Sequence, residues 1–114
     1  MENKLLDCLC SLGFSNIVAQ VYCTLVPEDK MGGYQIAKKL NLQRPSVYNA
    51  LNSLESRGFI TVIPGETTEY SAVEPDILMK ELSRRYSENA ATAKIELEKL
   101  TNGRKSNERF VNIT

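Results

Sequence analysis

The sequence predicts a mainly α-helical chain with one small β-hairpin, extended by a long C-terminal helix. Three observations carry this. Residues 32–60, GGYQIAKKLNLQRPSVYNALNSLESRGFI, read as two short helices joined by a tight turn and leading into a strand. Residues 59–73 hold two strand-like runs on either side of Pro64-Gly65. From Asp76 onward, apolar side chains recur in steps of four and three with charges elsewhere. A two-helix motif that opens into a hairpin is a winged helix-turn-helix, and the last helix lies outside it.

The elements follow in order. Leu5, Leu9 and Leu12 share one face of a first helix, with Leu6 beside them, and Gly13 ends it. Ser15 is the expected N-cap of a second helix carrying Ile17, Val18, Val21, Tyr22 and Leu25, which Pro27 stops. Val18 stands where a capping box would place Glu or Gln, so this start relies on the serine alone. After the polar loop PEDK, the first motif helix starts near Gly32, a weaker cap, with Gln35 in the box-partner position. It sets Ile36, Ala37 and Leu40 on one face, and Asn41 suits the left-handed residue that ends it.

Pro45, near the start of the next helix, has a preset φ and needs no hydrogen bond there. That helix turns Val47, Leu51 and Leu54 inward, with Ala50 beside them, and Gly58 closes it after Arg57. Phe59 to Ile63 and Thr68 to Val73 are the expected strands, with Pro64-Gly65 as the turn pair.

Pro75 fits the first turn of a long helix from about Asp76 to Asn102, roughly 40 Å at ~1.5 Å per residue, and Gly103 is its expected end. Its stripe is Leu78, Leu82, Tyr86, Ala90, Ala93, Leu97 and Leu100. The first turns can pack on the domain they leave, but a rod of that length outruns a small globule. A second copy of the same helix is the economical partner, which makes Leu82, Tyr86, Ala90, Ala93, Leu97 and Leu100 the expected homodimer contacts. Asn89 and Glu96 fall near the seam and weaken a strict heptad. The expected division is 1–74 for the winged domain, 75–102 for the dimerisation helix, and 103–114 for a patternless tail.

Composition removes several alternatives. With 114 residues, 42% hydrophobic and 25% charged, the chain suits one ordered domain with a modest core. Fourteen basic and fourteen acidic residues cancel, so total charge does not argue for nucleic acid. The motif differs, because Lys38, Lys39, Arg44 and Arg57 face Glu55 alone between Gly32 and Gly58, a local excess of about three positive charges. No apolar run approaches the roughly 20 residues of a membrane span, and MENKLLDCLC lacks the pattern of a signal peptide.

Cys8, Cys10 and Cys23 cannot all pair within the chain, and no histidine completes a zinc set. They read as buried small hydrophobes in a cytoplasmic protein. With no histidine, no glycine-rich phosphate loop and no nucleophile beside a base, neither catalytic residues, metal nor cofactor is expected.

B-DNA's major groove, about 12 Å wide, admits one helix and is read by side chains that donate and accept hydrogen bonds. The outward arc of the second motif helix holds Pro45, Ser46, Asn49, Asn52, Ser53 and Ser56. Ser46, Asn49 and Ser53 are the candidate base readers, with Pro45 at the helix entrance beside Arg44, which could take a guanine or a phosphate. Lys38, Lys39 and the Tyr48 hydroxyl are candidate phosphate contacts. The plainer alternatives are two solvated lysines and a packing tyrosine, and for Arg57 a cap on helix carbonyls.

These residues carry a resemblance. LGFSNIVAQVYCTL, GGYQIAKKLN, RPSVYNALNSLESRGFI and YSAVEPDILMKEL are similar to the corresponding stretches of TrmB-type transcription regulators, winged helix-turn-helix proteins of archaea and bacteria. The likeness covers roughly Leu5 to Leu100. Val18 replaces a usual glutamate, Gly32 a usual threonine, and GETTE puts Glu66 and Glu69 where a DNA-tracking wing often carries Lys or Arg. Acidic side chains near phosphate cost binding energy, which argues against deep wing insertion.

The motif, the hairpin and the terminal helix, together with this resemblance, point to a sequence-specific DNA-binding regulator, and pairing through the terminal helix would make it a homodimer on a pseudo-palindromic double-stranded operator. Relatives of this kind continue into a domain that binds sugars or other small molecules. An effector is therefore expected only if such a domain is missing from this chain, which stops at RFVNIT, where it would begin. The chain is then a fragment or a short natural form. The competing reading is a winged-helix protein-interaction module, favoured by the neutral total charge and the acidic wing.

Overall fold

The computed structural model describes residues 3–113, with side chains for 3–103. Its elements are α1 (Asn3–Ser11), α2 (Asn16–Leu25), β1 (Met31–Gly32), α3 (Gly33–Leu40), α4 (Arg44–Ser56), β2 (Ile60–Ile63), β3 (Glu69–Ala72) and α5 (Pro75–Ile113). The chain divides into two compact units, Met1–Leu78 and Met79–Thr114.

In the first unit, local chemistry sets the helix ends. The Ser15 hydroxyl accepts from Val18 N–H at 3.3 Å, one of the donors that the first turn of α2 leaves open. Gly13 (φ +105°) and Gly58 (φ +79°) take the backbone conformation that L side chains avoid. Past α4, Gly58 N–H donates to Glu55 O and Phe59 N–H to Leu54 O, both at 2.9 Å, which turns the chain sharply into β2.

The core fills the space between these helices and the sheet. Phe59, Leu25, Ile36, Leu51, Leu54, Leu78, Val21 and Val47 are its largest fully buried side chains, each worth about 1.5–3 kcal/mol relative to exposure. Phe14 stacks on Phe59 with centroids 5.8 Å apart and meets Tyr22 edge-on at 6.3 Å. The buried Tyr22 hydroxyl donates to Val73 O at 2.7 Å, tying α2 to the segment that leads into α5. Burial is the main reason its phenol is pushed up to about 12.

Three features depart from expectation. The sheet has three strands, in the order β1-β3-β2, because Met31 and Gly32 pair with Tyr70 and Glu69 along the outer edge of β3. A two-residue strand has no periodicity of its own and exists only through its partner. The hairpin itself is as expected to within a residue, with residues 64–68 as its tip, since the register sets Ile63 opposite Glu69.

The first helix buries Leu9 and half-buries Leu6, leaving Leu5 and Leu12 exposed; Cys8 is exposed and Cys10 and Cys23 are half-buried, so the cysteines are not the buried hydrophobes expected. The line of contact that α1 makes is narrower than its apolar stripe. Finally, α5 does not stop at Gly103 but continues to Ile113, so the expected tail from 103 is helical as far as it is described, and Thr114 lies outside the described residues. Gly103 keeps a negative φ; a glycine inside a helix costs about 1 kcal/mol against alanine but does not by itself end it.

Candidate nucleic-acid interface

The two motif helices are joined by three residues, each with a defined task. Gln35 Oε1 accepts from Gly32 N–H at 2.9 Å, the half of a capping box that a glycine cap still allows. Asn41, at φ 54° and ψ 46°, is the left-handed residue after α3, and Leu42 N–H returns to Ala37 O at 3.0 Å. Gln43 caps α4 with extended backbone, and Pro45 sits in its first turn.

Val47, Ala50, Leu51 and Leu54 anchor α4 on one face. Arg44, Pro45 and Asn49 are exposed, as are Asn52 and Ser56, while Ser46 and Ser53 are half-buried. Ser46 and Asn49 line a shallow groove of about 270 Å³ with Ser15, Ile17, Val18 and Ala50, where α4 passes the start of α2. The candidate readers thus divide by exposure, Pro45 and Asn49 in solvent and Ser46 and Ser53 half-buried, and Ser46 and Asn49 are the two that border the start of α2.

The other flank of α4 is aromatic. The Arg44 guanidinium lies over the Tyr34 ring, 4.4 Å from its centroid. Tyr48 is 38% exposed and packs over Gly33 on α3. Burial, followed by the neighbouring Tyr48 and Glu55, raises the Tyr70 phenol above its usual range. Tyr34 and Tyr70 were missed as interface candidates. A large aromatic residue off the apolar period of α3 was the available signal for Tyr34; Tyr70 needed the strand register.

Lys38 and Lys39 are exposed in the last turn of α3, where positive charge also complements the helix dipole. Arg57 does not merely end α4, since its guanidinium lies 5.9 Å from the Phe14 ring centroid. The wing is less acidic than its sequence. Glu69 lies within β3, with Lys30 Nζ 3.6 Å from its carboxylate, whereas Glu66 stands in the exposed tip. That pair is half-exposed and worth about 0–1 kcal/mol to stability, but it offsets one negative charge.

In the second unit, Leu82 is half-buried, Ala90 and Ala93 are exposed, and Tyr86, Leu97 and Leu100 are 74%, 59% and 73% exposed. Most of the charges lie elsewhere on the helix, with Glu96 near the stripe. Arg84 bonds Glu81 and Glu88, Arg85 donates to Glu81 at 2.8 Å, and Lys99 to Glu96 at 3.1 Å. Hydrogen bonds from Arg84 and then Arg85 pull the Glu81 carboxyl down to about 2. Among the described residues, no helix is long and apolar enough to cross a membrane, and no cluster of His, Cys, Asp or Glu could hold a metal ion.

Residues 9–76 match the family model described as sugar-specific transcriptional regulator TrmB. The uncharacterized protein YrhO of Bacillus subtilis is 32% identical over 114 residues, all of this chain and 42% of YrhO. The HTH-type sugar sensing transcriptional regulator TrmBL1 of Pyrococcus furiosus is 23% identical over 82 residues, 72% of this chain and 24% of TrmBL1. The chain therefore spans well under half the length of either relative. Among solved structures, TrmBL2, described as an archaeal chromatin protein with a novel mode of DNA binding, superposes with a TM-score of 0.71 at 22% identity, over 97% of this chain and 40% of that one. That likeness carries the fold.

Proposed function

Because the chain belongs to the TrmB family of transcriptional regulators, we propose that it is a sequence-specific, homodimeric DNA-binding regulator of the cytoplasm that sets α4 in the major groove. The observation that carries this is the division of α4 itself. One face is locked into the core by Val47, Ala50, Leu51 and Leu54, and the other holds Arg44, Pro45 and Asn49 in solvent. A helix fixed on one side with hydrogen-bonding groups on the other is what base-edge recognition requires.

In this reading Asn49 contacts bases, with the half-buried Ser46 and Ser53 on the same helix as further base readers. Lys38, Lys39 and the Tyr48 hydroxyl take phosphates, and Arg44 a guanine or a phosphate. Leu82, Tyr86, Ala90, Ala93, Leu97 and Leu100 form the seam with a second copy. The exposure of Tyr86, Ala90, Ala93, Leu97 and Leu100 is the support for it, since a stripe of that size left in water is unfavourable. Two-fold symmetry then implies a pseudo-palindromic operator with half-sites about 10 bp, or a multiple, apart. A small-molecule effector belongs to the proposal only for a longer protein that contains this chain.

Selection of bound duplexes from a random pool tests the proposal. Enrichment of a two-fold sequence is expected, and a pool that stays random would sink it. The rival, a protein-docking module, loses some support with the pairing of Glu69 and Lys30. Salt titration separates the two, because releasing counterions from DNA makes affinity fall steeply with salt.

A further inference from the structure

We propose that Tyr34 is a positioning residue for DNA readout, acting through Arg44. This rests on the DNA-binding reading above and adds a residue that reading does not use. The two side chains come from different helices of the motif. Tyr34 lies in the first turn of α3, and Arg44 is the first residue of α4. The guanidinium carbon sits 4.4 Å from the ring centroid, within the range of a cation–π contact.

Arg44 pairs with no carboxylate among the described residues. A guanidinium resting on a ring occupies one face of its plane and leaves its in-plane N–H donors open. Tyr34 is itself 53% exposed, so the cation–π pair stands at the protein surface, at the entrance of the candidate recognition helix. The ring thus restricts the orientation of a long side chain without consuming the donors that would recognise a ligand. The paired acceptors that fit such a fork are O6 and N7 of a guanine in the major groove, so Tyr34 sets sequence preference through Arg44.

The test uses the full chain and the duplex enriched from the random pool, at one salt concentration, with a random duplex alongside. Tyr34→Phe keeps the ring and should bind the operator within about twofold of the parent. Tyr34→Leu and Tyr34→Ala remove the π face and should weaken operator binding about three- to tenfold, with little change on random DNA. Tyr34→Ala/Arg44→Ala should bind no more weakly than Arg44→Ala alone, because the ring has no role once the guanidinium is gone. Thermal unfolding of each variant distinguishes loss of contact from loss of fold.

Tyr34→Leu binding as tightly as Tyr34→Phe would overturn the proposal, and so would additive losses in the double variant. Equal losses on operator and random DNA would place Arg44 on a phosphate and refute the guanine assignment. If the parent chain enriches no sequence, the DNA-reading function fails and the role of Tyr34 fails with it. If the parent binds its operator and Tyr34→Ala is unchanged, only the role of Tyr34 fails.

Discussion

Tyr48 lies so close over Gly33 that a β-carbon placed on the glycine would fall 2.5 Å from the tyrosine Cζ and 2.7 Å from its hydroxyl oxygen. Gly33 is therefore the floor on which an α4 side chain rests, and its backbone conformation asks for no glycine. The first residue of α3 is buried, and the aromatic flank of α4 depends on its lacking a side chain.

Gly33→Ala brings two opposed effects. Alanine restrains the unfolded chain and suits a helix start, a gain of about 0.4–1 kcal/mol. Tyr48 must swing outward, losing its contact at a cost of similar size. Net stability should change by less than about 1 kcal/mol in urea unfolding, while operator affinity falls severalfold because the Tyr48 hydroxyl has moved. An unchanged affinity would detach Tyr48 from the interface.

Asn49→Ala should cost about 1–3 kcal/mol on the selected operator and little on random DNA if the amide reads a base. Asn49 is exposed and also borders the groove beside Ser15, so its truncation leaves the core intact. Parallel losses on both duplexes, measured by fluorescence anisotropy, would move Asn49 to the phosphate contacts.

Leu97→Asp tests the seam. Leu97 is 59% exposed, so a charge there costs an isolated helix little, whereas in an apolar interface it would be buried without a partner. Sedimentation should show a weakened dimer with the winged unit still folded. A dimer of unchanged strength would reject that stripe as the interface.

Glu81 gives α5 a pH dependence whose sign is fixed by its arginines. Its carboxyl is lowered from 4.5 to about 2, so the contribution of the ionised form is present above pH 4.5 and is lost as pH falls through about 2. The expected result is that helicity followed by circular dichroism differs between the parent and Glu81→Gln at neutral pH and converges in strong acid. The group is exposed, so high salt should shrink the difference. Curves that remain parallel down to pH 2 would contradict the assignment.

What the sequence could reveal was set by range. Ser15, Asn41, Pro45 and Gly58 shape the backbone within a few residues of themselves, and each does in the structure what its chemistry suggests. The burial of Val47, Leu51 and Leu54 followed from helical period for the same reason.

Contacts between distant segments were hidden. Lys30 cannot be seen to neutralise Glu69 until β1 is known to pair with β3, and Tyr34 cannot be matched to Arg44 without the angle between two helices. Gly103 misled differently. Glycine marks a helix end only where the chain must turn left-handed, and here α5 carries on.

Gly32 belongs to two elements at once: it pairs with Glu69 at the edge of the sheet, and it caps α3. No linker separates β1 from α3. Residues 64–66 are exposed at the tip, whereas Thr67 and Thr68 pass beside Gly32, so a change of hairpin length disturbs the motif least when it is made at 64–66. A single insertion between residues 32 and 33 has no slack to take it up and must break either the strand pairing or the helix start. Of these two places, only the far end of the wing can tolerate a change of length.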